Sequence, residues 1–223
     1  MKKRPNLIAA ENLPAAPSQR RSSDKRDRLK AAAIAIFGEK GYEGTSIEEI
    51  ADRAGLAIGS FYQHYRSKRQ LLLVLMDELL ESLSQLDFKP AGMVNARDGL
   101  RQLLANAFSR DLKFLGVYRA WQEVIISDSD LARKQKKIRG WTTSRVITVF
   151  QMLQQLPGAR ADVDIAELAK AMDSFFWSLL AEALLLKKFE LNKRIDAATH
   201  LIYHALFTDS SENRARKVSS RKR

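Results

Sequence analysis

TSIEEIADRAGLAIGSFYQHYRSK, running from Thr45 to Lys68, decides the fold of this 223-residue chain. Thr45 followed by Glu48 matches the capping-box pattern, a hydroxyl first and a Glu three residues later, and opens a helix. Ile47, Ile50, Ala51 and Ala54 form its apolar face at helical spacing. Gly55 supplies the left-handed turn that a side chain would resist, and Leu56 folds back onto the core. A second short helix follows over about residues 58–64. Two short helices joined by a Gly-containing turn make a helix-turn-helix, here about residues 46–65. Ala51 is small where the two helices approach, and Phe61 returns the second helix to the core. Ser67-Lys68-Arg69-Gln70 repeats the capping pattern and starts a long helix on which Leu72, Met76, Leu79, Leu83 and Leu86 recur at spacings of four and three.

The same periodicity extends in both directions. Upstream, Leu29, Ala32, Ala33, Ile36 and Phe37 form one apolar stripe that ends at Gly41, a C-terminal cap. Downstream, helices are expected over about 96–108, 110–126, 129–156, 164–187 and 192–207, with Pro157-Gly158 breaking the third from the fourth. Sustained alternation of apolar and polar residues is missing between 23 and 208. The expectation is an all-α protein of about nine helices. It divides into a basic tail (1–22), a helix-turn-helix domain (23–70), a helical body (71–208) and a second basic tail (209–223).

Composition narrows the chemistry. With no cysteine there is no disulfide framework, no thiolate nucleophile and no Cys-ligated metal site. Net charge is +12, and it is concentrated at the ends: residues 1–22 carry five cations against Glu11, and residues 209–223 carry six against Asp209 and Glu212. Both tails lack apolar periodicity and are expected to be disordered. Such charge tracks phosphates, coats an anionic membrane or simply keeps the chain soluble. Charge alone does not choose among these. The longest nearly apolar stretch, Phe175 to Leu186, includes Glu182 and is too short to span a bilayer. No apolar region follows the basic N-terminus, so a signal peptide is not expected, and the expectation is a cytoplasmic protein that does not bind membranes.

Rotating the second short helix by about 100° per residue puts Ile58, Phe61, Tyr62 and Tyr65 on a packed side. Gly59, Ser60, Gln63 and His64 then point outward. Gln63 has the amide that bonds adenine N6 and N7 in a major groove, and Ser60 suits a base or a phosphate. Gly59 on an outer face suits close backbone approach. Thr45 or Ser46, at a helix N-terminus, can hold a phosphate with backbone N–H groups beside it. Tyr62, His64 and Lys68 stand at the edges as phosphate contacts.

Gly41-Tyr42, Thr45-Ser46-Ile47, Ile50-Ala51, Ala54-Gly55-Leu56, Gly59-Ser60-Phe61-Tyr62, Tyr65, Ser67-Lys68 and Leu71 together resemble the N-terminal domain of the TetR family of bacterial transcriptional regulators. The resemblance covers about residues 24–72. It implies phosphate contacts at Thr45, Tyr62, His64 and Lys68, and base proximity at Ile58, Gly59, Ser60 and Gln63. It also implies a homodimer on a near-palindromic double-stranded DNA operator and a C-terminal body that senses a small molecule. Two positions depart from the family pattern. Ala57 stands where a Ser or Thr N-cap is usual, and Ile58 stands where a polar or basic residue is common, leaving a thymine methyl contact or plain packing open there.

The body offers fewer signals. The stretch from Phe175 to Leu186 is apolar on all sides of one helix, and the last helix is nearly as broad, so one side of each is free for a partner subunit. Phe176, Leu180, Leu184, Ile202 and Leu206 are the expected dimer contacts. Phe114, Tyr118, Trp121, Trp141, Phe150, Met172 and Trp177 are candidates to line a pocket for an apolar or aromatic effector, or else are plain core. Arg119, Glu123 or Arg145 would supply polar groups to such a pocket. Arg133, Lys134, Lys136, Lys137 and Arg139 read as a solvated basic face. His200 and His204 have metal-pair spacing, but no Glu or Cys completes a site. No Gly-rich phosphate loop, nucleophile elbow or triad is evident, so neither a cofactor nor an enzyme activity is expected. The function expected is a DNA-binding regulator, with repression released by ligand. The alternative is a DNA-bound structural or cell-cycle protein of the same fold without an effector.

Overall fold

The computed structural model describes residues 2–14, 20–85, 95–183 and 188–208. Among them lie nine α-helices and no β-strand: α1 (Arg20–Lys40), α2 (Ile47–Arg53), α3 (Ile58–His64), α4 (Lys68–Ser84), α5 (Ala96–Asp111), α6 (Leu115–Val124), α7 (Ser129–Gln154), α8 (Ile165–Glu182) and α9 (Lys188–Leu206). The all-α class expected from the sequence is what the structure shows. One break lies later than expected: helices over about 96–108 and 110–126 put it near residue 109, but a 3-10 turn at Leu112–Phe114 separates α5 from α6. No proline or capping side chain marks that break, and Phe114, the residue before α6, makes no side-chain cap bond.

The chain forms two compact units. One gathers Arg4–Gln85 with Arg110–Ile138, and the other gathers the described residues of Leu86–Ser109 and Arg139–Arg223 together with the first three positions. In the first unit α1 is the central strut. Its Leu29, Ala33 and Phe37 are fully buried, as are Ile50 and Ala51 of α2, Phe61 of α3, Leu71 and Leu75 of α4 and Val117 and Trp121 of α6. The α1–α6 crossing is unusually close. A Cβ added at Gly116 would lie 1.9 Å from the Ile34 carbonyl oxygen and 2.7 Å from the Gly38 nitrogen. The requirement for a bare backbone at Gly116 therefore fixes where α6 begins to pack.

The first unit also takes in residues expected to be a free tail. Leu7 is 1% exposed, and residues 4–14 lie on the protein although they form no regular element. The second basic tail, residues 209–223, lies outside the described residues, as do Leu86, Pro90 and Gly92. In the second unit Trp141 and Phe150 of α7, Leu179 of α8 and Ala198, Ile202 and Leu206 of α9 are buried together. Asp164 caps α8 by accepting from the Ala166 and Glu167 N–H groups. A buried carboxylate, Asp173, pairs with Arg139 Nε at 2.9 Å, and the Arg139 guanidinium lies over the Trp177 ring.

Gly116→Ala tests the crossing. Helix propensity alone would favour alanine by about 1 kcal/mol, whereas the clash with the α1 backbone predicts a net loss of about 1–3 kcal/mol. The denaturant midpoint reads the sign, and a midpoint that rises would mean the two helices are not held this close.

Candidate nucleic-acid interface

The turn between α1 and α2 comes first, because α3 hangs from it. Gly41 takes φ 76° and ends α1. Thr45 is 3% exposed and donates its hydroxyl to the Gly41 carbonyl at 2.6 Å. The capping box lies one residue beyond the expected pair: the Ser46 hydroxyl accepts from the Glu49 N–H at 3.1 Å, and the Glu49 carboxylate accepts from the Ser46 N–H at 3.0 Å. Thr45 does not cap α2 because its hydroxyl is already committed to the turn. Lys68, reaching across from α4, donates to the carbonyls of Tyr42 and Thr45, each at 2.6 Å. Its ammonium sits 4.2 Å above the Tyr42 ring centroid. Burial pulls the Lys68 ammonium below its ordinary value, partly offset by Glu43, Glu123 and Glu49, and burial pushes the Tyr42 phenol up to about 12.

Helix α6 closes the same turn from the other side. Glu123 accepts from the Tyr42 N–H at 2.6 Å, and Arg119 donates to the Gly38 carbonyl at 2.8 Å. These two residues, expected as polar groups of an effector pocket, satisfy the open end of α1 here. Arg28 of α1 donates to the Gly55 carbonyl at 3.1 Å, holding the bend of the helix-turn-helix, where Gly55 has φ 64°.

Seven residues of α3 follow. Its N-cap, Ala57, makes no side-chain bond. Phe61 is fully buried and Tyr65 lies beside it, ring centroids 5.7 Å apart. The packed arc differs from the expected one. Ile58 is 41% exposed and Tyr62 51% exposed, whereas His64 is only 6% exposed. The helix is rolled about Phe61 towards His64, because Tyr65 has left the helix and takes extended φ and ψ as the C-cap. Ile58, Gly59, Tyr62 and Gln63 are exposed and Ser60 half-buried, and a Cβ at Gly59 would meet nothing within 4 Å.

The nine expected contacts thus divide. Ile58, Gly59, Ser60, Tyr62 and Gln63 share the outer side of α3. Thr45, Ser46 and Lys68 use their side chains to build the turn beneath it. His64 faces inward, and its Nε2 has no hydrogen-bonding partner. Lys25 and Arg26, which sequence reasoning did not single out, lie close enough to help burial hold the His64 imidazole below 6.5. Their signal was a pair of cations in the first turns of α1.

A family model described as bacterial regulatory proteins of the tetR family matches residues 29–75. The helix-turn-helix domain is a TetR-family domain. The HTH-type transcriptional repressor KstR2 of Mycolicibacterium smegmatis is 37% identical over 70 residues, 31% of this chain and 33% of the relative. The match thus spans about a third of that relative's length. A crystal structure of a gamma-butyrolactone receptor, an ArpA-like protein, aligns with TM-score 0.69 at 15% identity over 90% of this chain and 97% of that one. A SmeT–triclosan complex aligns with TM-score 0.62 at 20% identity over 83% and 92%. These likenesses extend the TetR-like fold beyond the N-terminal domain.

The remaining candidates are dispersed. Phe114, Tyr118 and Trp121 belong to the unit that carries the TetR-type domain, while Trp141, Phe150, Met172 and Trp177 belong to the other. Trp121 is fully buried and donates to Gln135 at 2.8 Å. Of the expected dimer contacts, Phe176 is half-buried against Phe108. Leu180, Ile202 and Leu206 are already buried within one chain, which leaves them almost no surface to bury against another. Leu184 lies outside the described residues. Among the described helices none is long and apolar enough to cross a membrane. The described residues contain no group of three or more metal-ligating side chains.

Two predictions follow from the turn and from His64. Lys68→Met should cost about 1–3 kcal/mol of stability, since two carbonyls lose their donor, while leaving the salt dependence of DNA binding unchanged. A slope shallower by about one would instead make Lys68 a phosphate ligand. For His64, the lowered folded value means the unfolded chain takes up the proton first as pH falls. The residue is therefore neutral for stability above about pH 6.5, and stability is lost progressively as pH falls from there to the folded pKa. His64→Asn should flatten that part of the stability–pH curve, and parallel curves for parent and variant would refute the assignment.

Proposed function

We propose that this chain is a sequence-specific transcriptional regulator that binds double-stranded DNA as a homodimer and represses until a small apolar or aromatic molecule releases it. The observation that carries the DNA reading is the outer side of α3. Ile58, Gly59, Tyr62 and Gln63 stand exposed on a helix whose opposite side is fixed by the fully buried Phe61. An amide at Gln63 suits adenine in a major groove, and a phenol at Tyr62 suits a neighbouring phosphate. Lys25, Arg26 and Arg28 on α1 add positive potential beside this helix.

Two-fold pairing would place two copies of α3 in successive major grooves of a near-palindromic site. On α8 and α9 the surface available for that pairing includes Leu201, 57% exposed, and the small residues Ala171, Ser174, Ser178 and Ala181. Release by a ligand requires different affinity for two conformations of the dimer. The shared fold with a gamma-butyrolactone receptor and with SmeT in its triclosan complex supports an effector of modest size. The second reading, a DNA-bound structural or cell-cycle protein with no effector, draws on the burial of Trp121, Trp141 and Phe150, which act as ordinary core.

Selection of bound duplexes from a random pool at near-physiological salt tests the proposal. The expected product is a motif with two-fold symmetry, which then serves as the probe for release by small molecules. A pool that stays random would leave only charge-driven binding. On the selected duplex, Gln63→Ala should lose about 1–3 kcal/mol of discrimination at one symmetric base pair. Undiminished selectivity there would remove adenine as the partner of Gln63.

A further inference from the structure

Asp77 is out of place by the rules of its own helix. From Leu71 to Leu80 every residue of α4 is buried except Glu78, and Asp77 is a carboxylate only 8% exposed in the middle of that run. A charge taken out of water needs bonded partners. Its partners come from the segment before α1. The Leu7 N–H donates to Asp77 Oδ1 at 2.8 Å, and Arg4 pairs with the same oxygen at 3.1 Å. Leu7 is clamped on its other side as well, its carbonyl accepting from Lys134 Nζ of α7 at 3.0 Å. The Leu7 side chain is buried while both polar groups of its backbone are held by side chains. That is how a peptide is held in a recognition groove, and here the peptide is the chain's own.

The grip continues towards the DNA-facing helix. Gln70 Nε2 donates to the Asn12 carbonyl at 3.3 Å, and Gln70 Oε1 accepts from the Arg66 N–H at 2.8 Å. Arg66 follows directly on Tyr65, the C-cap of α3. Arg69 meets Glu11 at 3.4 Å, Asp128 at 2.6 Å and Asp130 at 2.8 Å. Of the residues that receive the segment, Gln70 thus also holds the joint between α3 and α4, while Arg69 ties the segment to the start of α7.

We propose that residues 4–12 are an intramolecular strap that sets the angle at which α3 is presented, so that affinity for DNA depends on a segment that never touches it. Asp77, Lys134 and Arg69 are its anchors, and Gln70 is the positioning residue that transmits it to the α3–α4 joint. The proposal rests on the DNA-binding reading above. It is opposed by the view that the basic N-terminus is an arm lying along phosphates.

The test uses the full chain, the selected duplex and the variants Leu7→Ser and Leu7→Asp, the first as the milder change should the second fail to fold. Binding is measured over a salt series well below the melting temperature, together with amide exchange at Arg66. The strap predicts about tenfold weaker binding for Leu7→Ser, an unchanged salt slope and faster exchange at Arg66. Undiminished affinity with a lowered melting temperature would reduce the segment to a stability element and overturn the proposal. Arg4→Gln separates the remaining view: a salt slope shallower by about one makes the segment an arm on phosphates and overturns the strap, whereas an unchanged slope supports it. A parent chain that binds no duplex overturns the DNA reading itself, while a parent that binds and a Leu7→Ser variant that binds equally well overturn only the strap.

Discussion

A helix of seven residues closes too few internal hydrogen bonds to offset the ordering of its backbone, and both α2 and α3 are of that length. Neither can exist except as a face of something larger. Burial of Ile50, Ala51, Phe61 and Tyr65 against α1 supplies what the helices lack on their own, and α6 and α4 keep α1 in place. Gly116 lets α6 press directly on the α1 backbone. The salt pair of Lys30 with Glu78 connects α1 to α4, and Asp27 of α1 holds the same ammonium. The exposed side of α3 is what remains after these demands are met.

The polar residues of the unit obey a similar economy. Between Gly41 and Ser46 the chain reverses without strand or helix to satisfy its backbone groups, and buried groups left unbonded are costly. Lys68, Glu123, Thr45 and Ser46 meet that need with their own side chains. Side chains that look from the sequence like hands extended to a phosphate are thereby occupied inside the protein. The outer side of α3 holds residues with no such duty, and this separates the residues that present the interface from those that shape it.

Much of the fold was legible because its signals are local. Apolar spacing, Gly41, Gly55 and Ser67 mark α1 to α4 closely, with the capping box of α2 read one residue early, at Thr45 rather than Ser46. The roll of α3 was harder, since it depends on Tyr65 leaving the helix to lie on Arg26, a contact made thirty-nine positions away in sequence. The break before α6 was expected near residue 109 and lies at Leu112–Phe114, where no proline or side-chain cap fixes its position. Asp77 was passed over inside an apolar run, and a buried carboxylate makes sense only once Arg4 and Leu7 are beside it. The basic run on α7 was half legible: Arg133, Lys136 and Lys137 are exposed, while Lys134 and Arg139 are drawn inward by Leu7 and Asp173. Periodicity carries no information about partners so distant in sequence.

The composition of the first unit bears on how such proteins recombine. Its boundaries run through Arg4–Gln85 and Arg110–Ile138, so the DNA-facing helices share a core with α6 and the start of α7. A hybrid that exchanged residues 23–70 alone for those of a relative would sever Arg119 and Glu123 from the end of α1 and Arg69 from Glu11, Asp128 and Asp130. The unit of exchange that keeps its own hydrogen bonds is discontinuous in sequence. Recombination at a single crossover after α4 is correspondingly disfavoured, and a functional chimera must carry two separate pieces of one parent.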